Sequence, residues 1–364
     1  MTSNDRIGQL ITTSVAVYEA CLLPNGCLVA APAQLPIYPP QAKSYFYCWP
    51  GRDLGFAIAG METLGYLVRE PLLDWIWQRA EGSQHTGLIF EDYHPNGPRR
   101  GPEWQPDQAG TLLWALCRAP RDNARERAVV RRLADGLTAM WVGTNFRRRY
   151  RDLWERRFAS PLHGSCFPYT LAACAKGLSL AAERFAVDRW RAAAREMRAR
   201  LDGTWDGELA YFPRRSGPIG TDPRVDGSLL GLAWPFDVVD DIERVRSTVA
   251  AVRAQLLDER SVRRYLYDGY DSEVEPVGAE IRQGGGSWPL LTFWLAIALA
   301  QFGAEEEARA AFDLGVTAAD LDGYFPEQVF PPGDRRVGVK PLLWSHMMFV
   351  LAADALGLLP PRDA

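Results

Sequence analysis

NARERAVVRRLADGLTAMWV, residues 123–142, is the stretch on which the fold class turns. Its apolar residues Val129, Val130, Leu133, Leu137, Met140 and Trp141 recur at the three-and-four spacing of one helical face, and arginines and acids fill the other side. Outward along the chain, patterns of this kind return at intervals of roughly 30 residues. They open near Phe56 and cover Thr111 to Arg118, then 169–185, 188–201, 226–233, 241–256, 288–302, 304–314 and 341–357. Asp188 and Asp241 stand where N-caps belong. The first fifty residues read as strand and loop instead, with NGCLVAAP followed by QLPIYPP.

Between the helices lie long connectors, 42–54, 93–108, 146–168, 203–225, 264–288 and 322–341, rich in glycine, proline and aromatics without being low-complexity. Connectors of that length with no structure of their own usually carry function. Paired helices alternating with such loops predict an all-α toroid of about twelve helices in six hairpins, its loops converging on one mouth. A helical solenoid is the competing arrangement, but no repeated motif marks one.

Composition narrows the function. Of 364 residues, 47% are apolar and 24% charged, the balance of a globular enzyme. A net charge of −4 supplies no field for a nucleic acid. No run of apolar residues is long enough for a membrane span, and the N-terminal stretch lacks the basic-then-apolar pattern of a signal peptide, so a cytoplasmic location is expected. The six cysteines show no C-x-x-C spacing and are expected to be reduced, with a local Cys21–Cys27 disulfide left open. Four histidines offer no metal-ligand spacing, and neither metal nor cofactor is expected.

The connectors share a vocabulary of aromatics beside acids and arginines: YFYCWPGRD (45–53), PEWQPD (102–107), RDLWE (151–155), RYLYDGY (264–270), DGYFPEQV (322–329) and PLLWSH (341–346). Rings stack on the C–H faces of sugars while carboxylates and guanidiniums grip hydroxyls, so this is the chemistry of a carbohydrate site. Glycoside hydrolysis needs one protonated carboxyl and one ionised carboxylate. Two acids stand out for the work, Glu155 after Trp154 and Glu327 after Pro326. An indole shielding Glu155 would raise its pKa and suit it to proton donation, whereas Arg156 and Arg157, if turned inward, would oppose that shift. A glutamate in W-E-R-R is more often a surface ion-pair partner. Arg52 and Asp53 also read as a structural pair at a helix start, and Trp49, Trp104 and Trp344 as core. His346 reads equally as packed or as part of a site. His163 with Cys166 lacks the third group that a thiol nucleophile needs.

In this order the segments resemble the catalytic domain of the glucoamylases, family 15 of the glycoside hydrolases, over nearly the whole chain. YFYCWPGRD resembles the family's Y-Y-x-x-W-x-R-D element and WQPDQAGTLLWAL its Q-x-D-x-x-G-x-x-L block. DLWERR, VDGSLLGL, RYLYDGY, GGGSWPLLTFWLAIALAQFG, FPEQV and PLLWSH resemble the elements that follow. The resemblance implies an (α/α)6 barrel, and a single such domain is expected over 1–364, without the N-terminal β-sandwich of many bacterial members or a starch-binding module. It also implies inverting, exo-acting hydrolysis of α-glucosidic bonds that releases β-D-glucose. Carried across, Glu155 is the general acid and Glu327 the general base. Tyr45 and Gln328 hold the attacking water. Arg52, Asp53, Arg264 and Trp49 bind the terminal glucose, and Trp104 and Trp154 form further walls. Three features depart from the family pattern: Gly51 inserted before Arg52, Arg156 where some members carry a second acid, and the acid-rich DSEVEPVGAEIRQ of 271–283. The expected substrate is a short oligosaccharide or disaccharide, with α,α-trehalose hydrolysis or sugar binding without chemistry as alternatives. Inversion requires the two carboxyls to stand about 6.5–9.5 Å apart.

Overall fold

The computed structural model describes residues 3–34, 45–270, 285–332 and 338–360. Most of QLPIYPP and the whole 271–283 stretch lie outside the described residues. In chain order the helices are α1 (Ser3–Cys21), α2 (Arg52–Thr63), α3 (Arg69–Gln78), α4 (Ser83–Thr86), α5 (Pro106–Cys117), α6 (Ala124–Met140), α7 (Pro168–Phe185), α8 (Asp188–Asp202), α9 (Ile242–Leu256), α10 (Pro289–Gln301), α11 (Glu305–Val316) and α12 (Leu343–Ala355). A 3-10 segment, Gly227–Leu232, precedes α9, and the described sheet is one two-stranded ribbon, β1 (Tyr150–Arg151) against β2 (Phe158–Ala159).

Six of these elements close a ring. α2 packs on α5, α5 on α7, α7 on the 3-10 segment, that segment on α10, α10 on α12, and α12 back on α2. The outer partners alternate with them in sequence: α6 packs against α5, α8 against α7, α9 against the 3-10 segment, α11 against α10 and α1 against α12. This is the (α/α)6 barrel, with a single 3-10 segment standing in for one inner helix. Sequence sorts inner from outer. Every residue of α5 is buried, and so is α10 from Pro289 to Leu299, as expected for helices apolar all round. In α6 only one face is buried, including Val129, Val130, Leu133 and Leu137.

Prolines at the first turns of α5, α7 and α10 start three of the inner helices where a missing N–H costs nothing. Asn123 caps α6 by accepting from Glu126 N, and Asp241 caps α9 as its sequence position predicts. Asp188 instead lies inside the first turn of α8, where its charge still suits the helix dipole. The centre of the ring is aromatic: Phe56 lies 5.4–5.7 Å from Trp294, Trp344 and Trp114.

The first fifty residues depart from expectation. Ser3–Cys21 is the longest helix among the described residues, and NGCLVAAP only returns the chain from it toward the mouth. Its buried face, Ile7, Leu10, Ser14, Val17, Tyr18 and Cys21, is interrupted by a serine and short of strong apolar contrast, which hid the period. All six cysteines are buried free thiols, Cys21 and Cys27 included. Among the described residues no helix is long and apolar enough to cross a membrane.

The tightest inner contact, α5 on α7, depends on missing side chains. A Cβ at Gly110 would lie 2.5 Å from the Ala173 carbonyl carbon, and one at Gly177 2.4 Å from the Gly110 oxygen. Gly110→Val is expected to destabilise the protein by about 1–3 kcal/mol, read as a lower urea midpoint at unchanged slope. Gly8→Ala in α1, with nothing within 4 Å of its added methyl, is expected to shift the midpoint the other way by up to about 1 kcal/mol. Equal midpoints for the two variants would remove close packing as the reason for Gly110.

Candidate active site

At the mouth of the ring the first turns of α2, α10 and α12 meet the long connectors around a cavity of about 330 Å³. Gly51, the inserted glycine, is what lets α2 start there. Its N–H donates to Gln108 Oε1 at 3.0 Å, and any Cβ would strike the Gln108 backbone at 2.2 Å. The insertion leaves Arg52 and Asp53 on the cavity wall. Arg52 Nε donates to Asp53 Oδ1 at 2.8 Å and Nη1 to the Leu153 carbonyl at 2.8 Å, while its guanidinium lies 4.7 Å from the Trp344 ring. Burial raises the Asp53 carboxyl, and Arg52 pulls it back.

Glu155 sits in a turn built on Asp152. Asp152 Oδ1 accepts from the Arg156 and Arg157 amides at 2.7 and 3.0 Å, and its carbonyl accepts Glu155 N at 3.1 Å. This turn forces Glu155 to φ +61°, a strained value for a residue with a Cβ. Asp152 is held in turn by Arg214, buried between Asp152 Oδ2 at 2.7 Å and Asp226 Oδ2 at 3.1 Å and lying 3.6 Å from the Tyr265 ring.

The indole on the Glu155 carboxyl is not its chain neighbour. Trp49 Nε1 donates to Glu155 Oε1 at 2.7 Å, while Trp154 Nε1 turns away to Asp226 Oδ1 at 2.8 Å. Arg52 Nη1 lies 3.4 Å from the same Glu155 oxygen. Burial pushes the Glu155 pKa to about 7 against the pull of Arg52, and Asp92 adds to the rise.

Glu327 is pinned through its own backbone. Glu327 N donates to Val339 O at 2.7 Å, Leu342 N to Phe325 O at 2.9 Å, and Ser345 Oγ to Pro326 O at 2.8 Å. His346 Nε2 accepts Phe325 N at 3.0 Å, so Nδ1 carries the proton and donates to Ser14 Oγ at 3.0 Å. Burial lowers the His346 pKa to about 3, making it a neutral strut behind the loop and not a group of the site. Glu327 Oε1 accepts from Tyr45 at 2.7 Å and stands 3.5 Å from the Tyr270 hydroxyl, and the two phenols are hydrogen-bonded to each other. Burial, then the Glu327 charge, keeps Tyr45 protonated.

Arg264 is fixed on Asp268 by bonds of 2.6 and 2.8 Å, with the rings of Tyr270, Trp288 and Trp154 4.4–5.6 Å away. Tyr45, Trp49, Arg52, Asp53, Trp154, Glu155, Arg264 and Glu327 thus share one cavity. Two expected residues lie elsewhere. Trp104 is wholly buried, edge-on to Phe146 at 5.0 Å, in a cluster behind the acid loop. Gln328 is also buried and braces the loop, donating to the Tyr270 and Gly286 carbonyls at 2.9 and 3.3 Å. His163 is exposed and burial pushes the Cys166 thiol up to about 11, so that pair makes no nucleophile.

Glu91, Arg151, Tyr270, Trp288 and Trp344 also line the cavity. The aromatics lay within or beside the quoted connectors, so their composition pointed to them. Glu91 had no signal, because it reaches the site only through long-range bonds such as Glu91 N to Glu103 O at 3.0 Å. The cavity is graded. Arg52, Asp53, Leu153, Trp154, Arg264, Glu327 and Trp344 are buried, while Tyr45, Glu91, Arg151, Glu155, Arg156 and Tyr270 are part-exposed.

Residues 7–354 match the sequence model of the glycosyl hydrolases family 15. The chain is 33% identical over 316 residues to an isomaltose glucohydrolase of Kribbella flavida, an alignment covering 79% of this chain and 74% of that protein. It is 24% identical over 392 residues to a trehalase of Mycolicibacterium smegmatis, covering 94% of this chain but 55% of the trehalase. Among solved structures, a glycosidase variant in complex with glucose superposes with a TM-score of 0.78 at 26% identity, over 99% of this chain and 100% of that one.

Arg214 is expected to be indispensable to the acid loop. Arg214→Met strands two buried carboxylates and should cost about 3–5 kcal/mol of stability, measured by chemical denaturation. A loss under about 1 kcal/mol would show that the two acids need no shared cation.

Proposed function

The chain belongs to the glycosyl hydrolases family 15 and is a glycoside hydrolase; from that premise we infer that it is an inverting, exo-acting α-glucosidase of short α-glucosides, with Glu155 as general acid and Glu327 as general base. The observation that carries the reading is that two carboxyls from distant loops line one cavity with different hydrogen-bond donors on each. Glu155 has a raised pKa and an indole donor. Glu327 accepts a phenol bond and neighbours a second phenol. In this mechanism Glu155 gives its proton to the glycosidic oxygen as the bond to the anomeric carbon breaks. Glu327 takes a proton from the water that attacks the opposite face, so the configuration inverts. Tyr45 and Tyr270 orient the carboxylate that receives the proton, and Arg52 and Asp53 grip hydroxyls of the terminal glucose.

A cavity near the small end of the usual ligand range, roughly 300–1,000 Å³, supports action on a chain end in preference to a polymer interior. Hydrolysis of isomaltose-like bonds is favoured by the relative with the highest identity reported above. Trehalose is the second reading, favoured by the trehalase match.

Glu155→Gln and Glu327→Gln are each expected to lower turnover at least about a hundredfold with the fold intact. Incubation with isomaltose, maltose and trehalose, followed by proton NMR, should show glucose released first as the β anomer. First release of the α anomer would end the inverting assignment, and trehalose as the sole substrate would replace the first reading with the second.

The pH profile follows from the donor. Glu155 is competent only while protonated, so kcat/KM is expected to fall as pH rises through about 7. A descending limb below pH about 5, where an ordinary exposed carboxyl titrates, would contradict the role given to its buried setting.

A further inference from the structure

Glu91 and Arg151 are unused by the chemistry above, yet both line the cavity beside the acid. Their side chains remain 19% and 25% exposed, in contrast to the buried closed end. Glu91 Oε2 and Arg151 Nε face each other at 3.2 Å, but neither atom makes an aligned hydrogen bond. These two facing atoms are sealed from solvent, while the rest of each side chain is open to the cavity.

The pair is nevertheless built in place. Arg151 Nη1 donates to the Glu155 carbonyl, and its guanidinium lies 4.7 Å from the Phe158 ring across the β1–β2 ribbon. Glu91 is held by its own backbone, its N–H on Glu103 O and its carbonyl on the Gln108 side-chain amide. Burial raises the Glu91 carboxyl to about 8, with the charge of Glu155 the next contribution. A scissile oxygen must lie at the Glu155 carboxyl. A sugar reaching beyond it from the closed end therefore meets the part-exposed rim.

We propose that Glu91 and Arg151 are specificity-determining residues that bind the departing sugar, a carboxyl and a guanidinium taking its hydroxyls together. A hydroxyl both donates and accepts, so it can donate to the carboxyl and accept from the guanidinium through the parts of the two side chains that stay open to the cavity. The proposal rests on Glu155 being the acid, since that places the bond to be cut. It assigns to the rim the choice among disaccharides that present the same terminal glucose.

Equilibrium titration in the Glu155→Gln background removes both hydrolysis and any effect on the ionisation of the acid. Glucose, isomaltose, maltose and trehalose are the probes. The best-bound disaccharide is expected to bind more tightly than glucose. Adding Glu91→Ala or Arg151→Met should weaken it at least about tenfold more than glucose, the loss of one charge-assisted bond. Retained glucose binding reports an intact site, and isosteric Glu91→Gln serves if Glu91→Ala fails to fold. Equal weakening of glucose and disaccharide would make the pair structural and overturn the proposal. So would an unchanged affinity ratio, or a disaccharide bound no better than glucose. Failure of the enzymatic reading is seen separately, as an unsubstituted protein that hydrolyses no α-glucoside.

Discussion

Arg214 is the cation on which the geometry of the acid depends. It is buried, and it bridges Asp152 and Asp226, two carboxylates that would otherwise repel each other in a medium with little water to screen them. Each acid has a second task. Asp152 closes the turn that holds Glu155 in left-handed backbone geometry, and Asp226 accepts the Trp154 indole while capping the 3-10 segment that completes the ring. One guanidinium thereby couples barrel closure to the orientation of Glu155. Strain at Glu155 persists because the surrounding bonds over-determine it.

The Glu327 loop is secured by different means. Backbone bonds to Val339 and Leu342 fix it, together with Ser345 and His346 of α12. His346 passes the load to α1 through Ser14, so the outer helix farthest from the loop in sequence supports it. Both loops hang from the same ring of inner helices, and that shared frame sets the two carboxyls on one cavity. Trp344 joins frame and site, stacking on Phe56 at 5.5 Å while its other surroundings form the cavity floor.

The residues that line the cavity differ in exposure. The closed end offers buried aromatic faces and two fixed arginines, which suits a rigid terminal sugar. Glu91 and Arg151 line the same cavity and remain part-exposed.

The sequence by itself determined the ring of helices, because apolar periodicity is a local property that each helix carries in its own residues. It also singled out Glu155, Glu327 and the Arg52–Asp53 pair, since aromatics beside acids in long connectors are visible without a fold. It did not determine which indole meets which acid. Trp154 adjoins Glu155 in the chain, but the backbone turn at 155 points the two side chains to different partners, and Trp49 arrives from the connector before α2 instead. Only tertiary structure removed Trp104 to the core, made Gln328 a brace and brought Glu91 to the rim. The same limit hid α1, whose buried face is defined by α12 and not by strong contrast of its own. Local pattern fixes what a segment becomes; which side chains converge is settled by contacts between residues far apart in the chain, and those depend on how the ring closes.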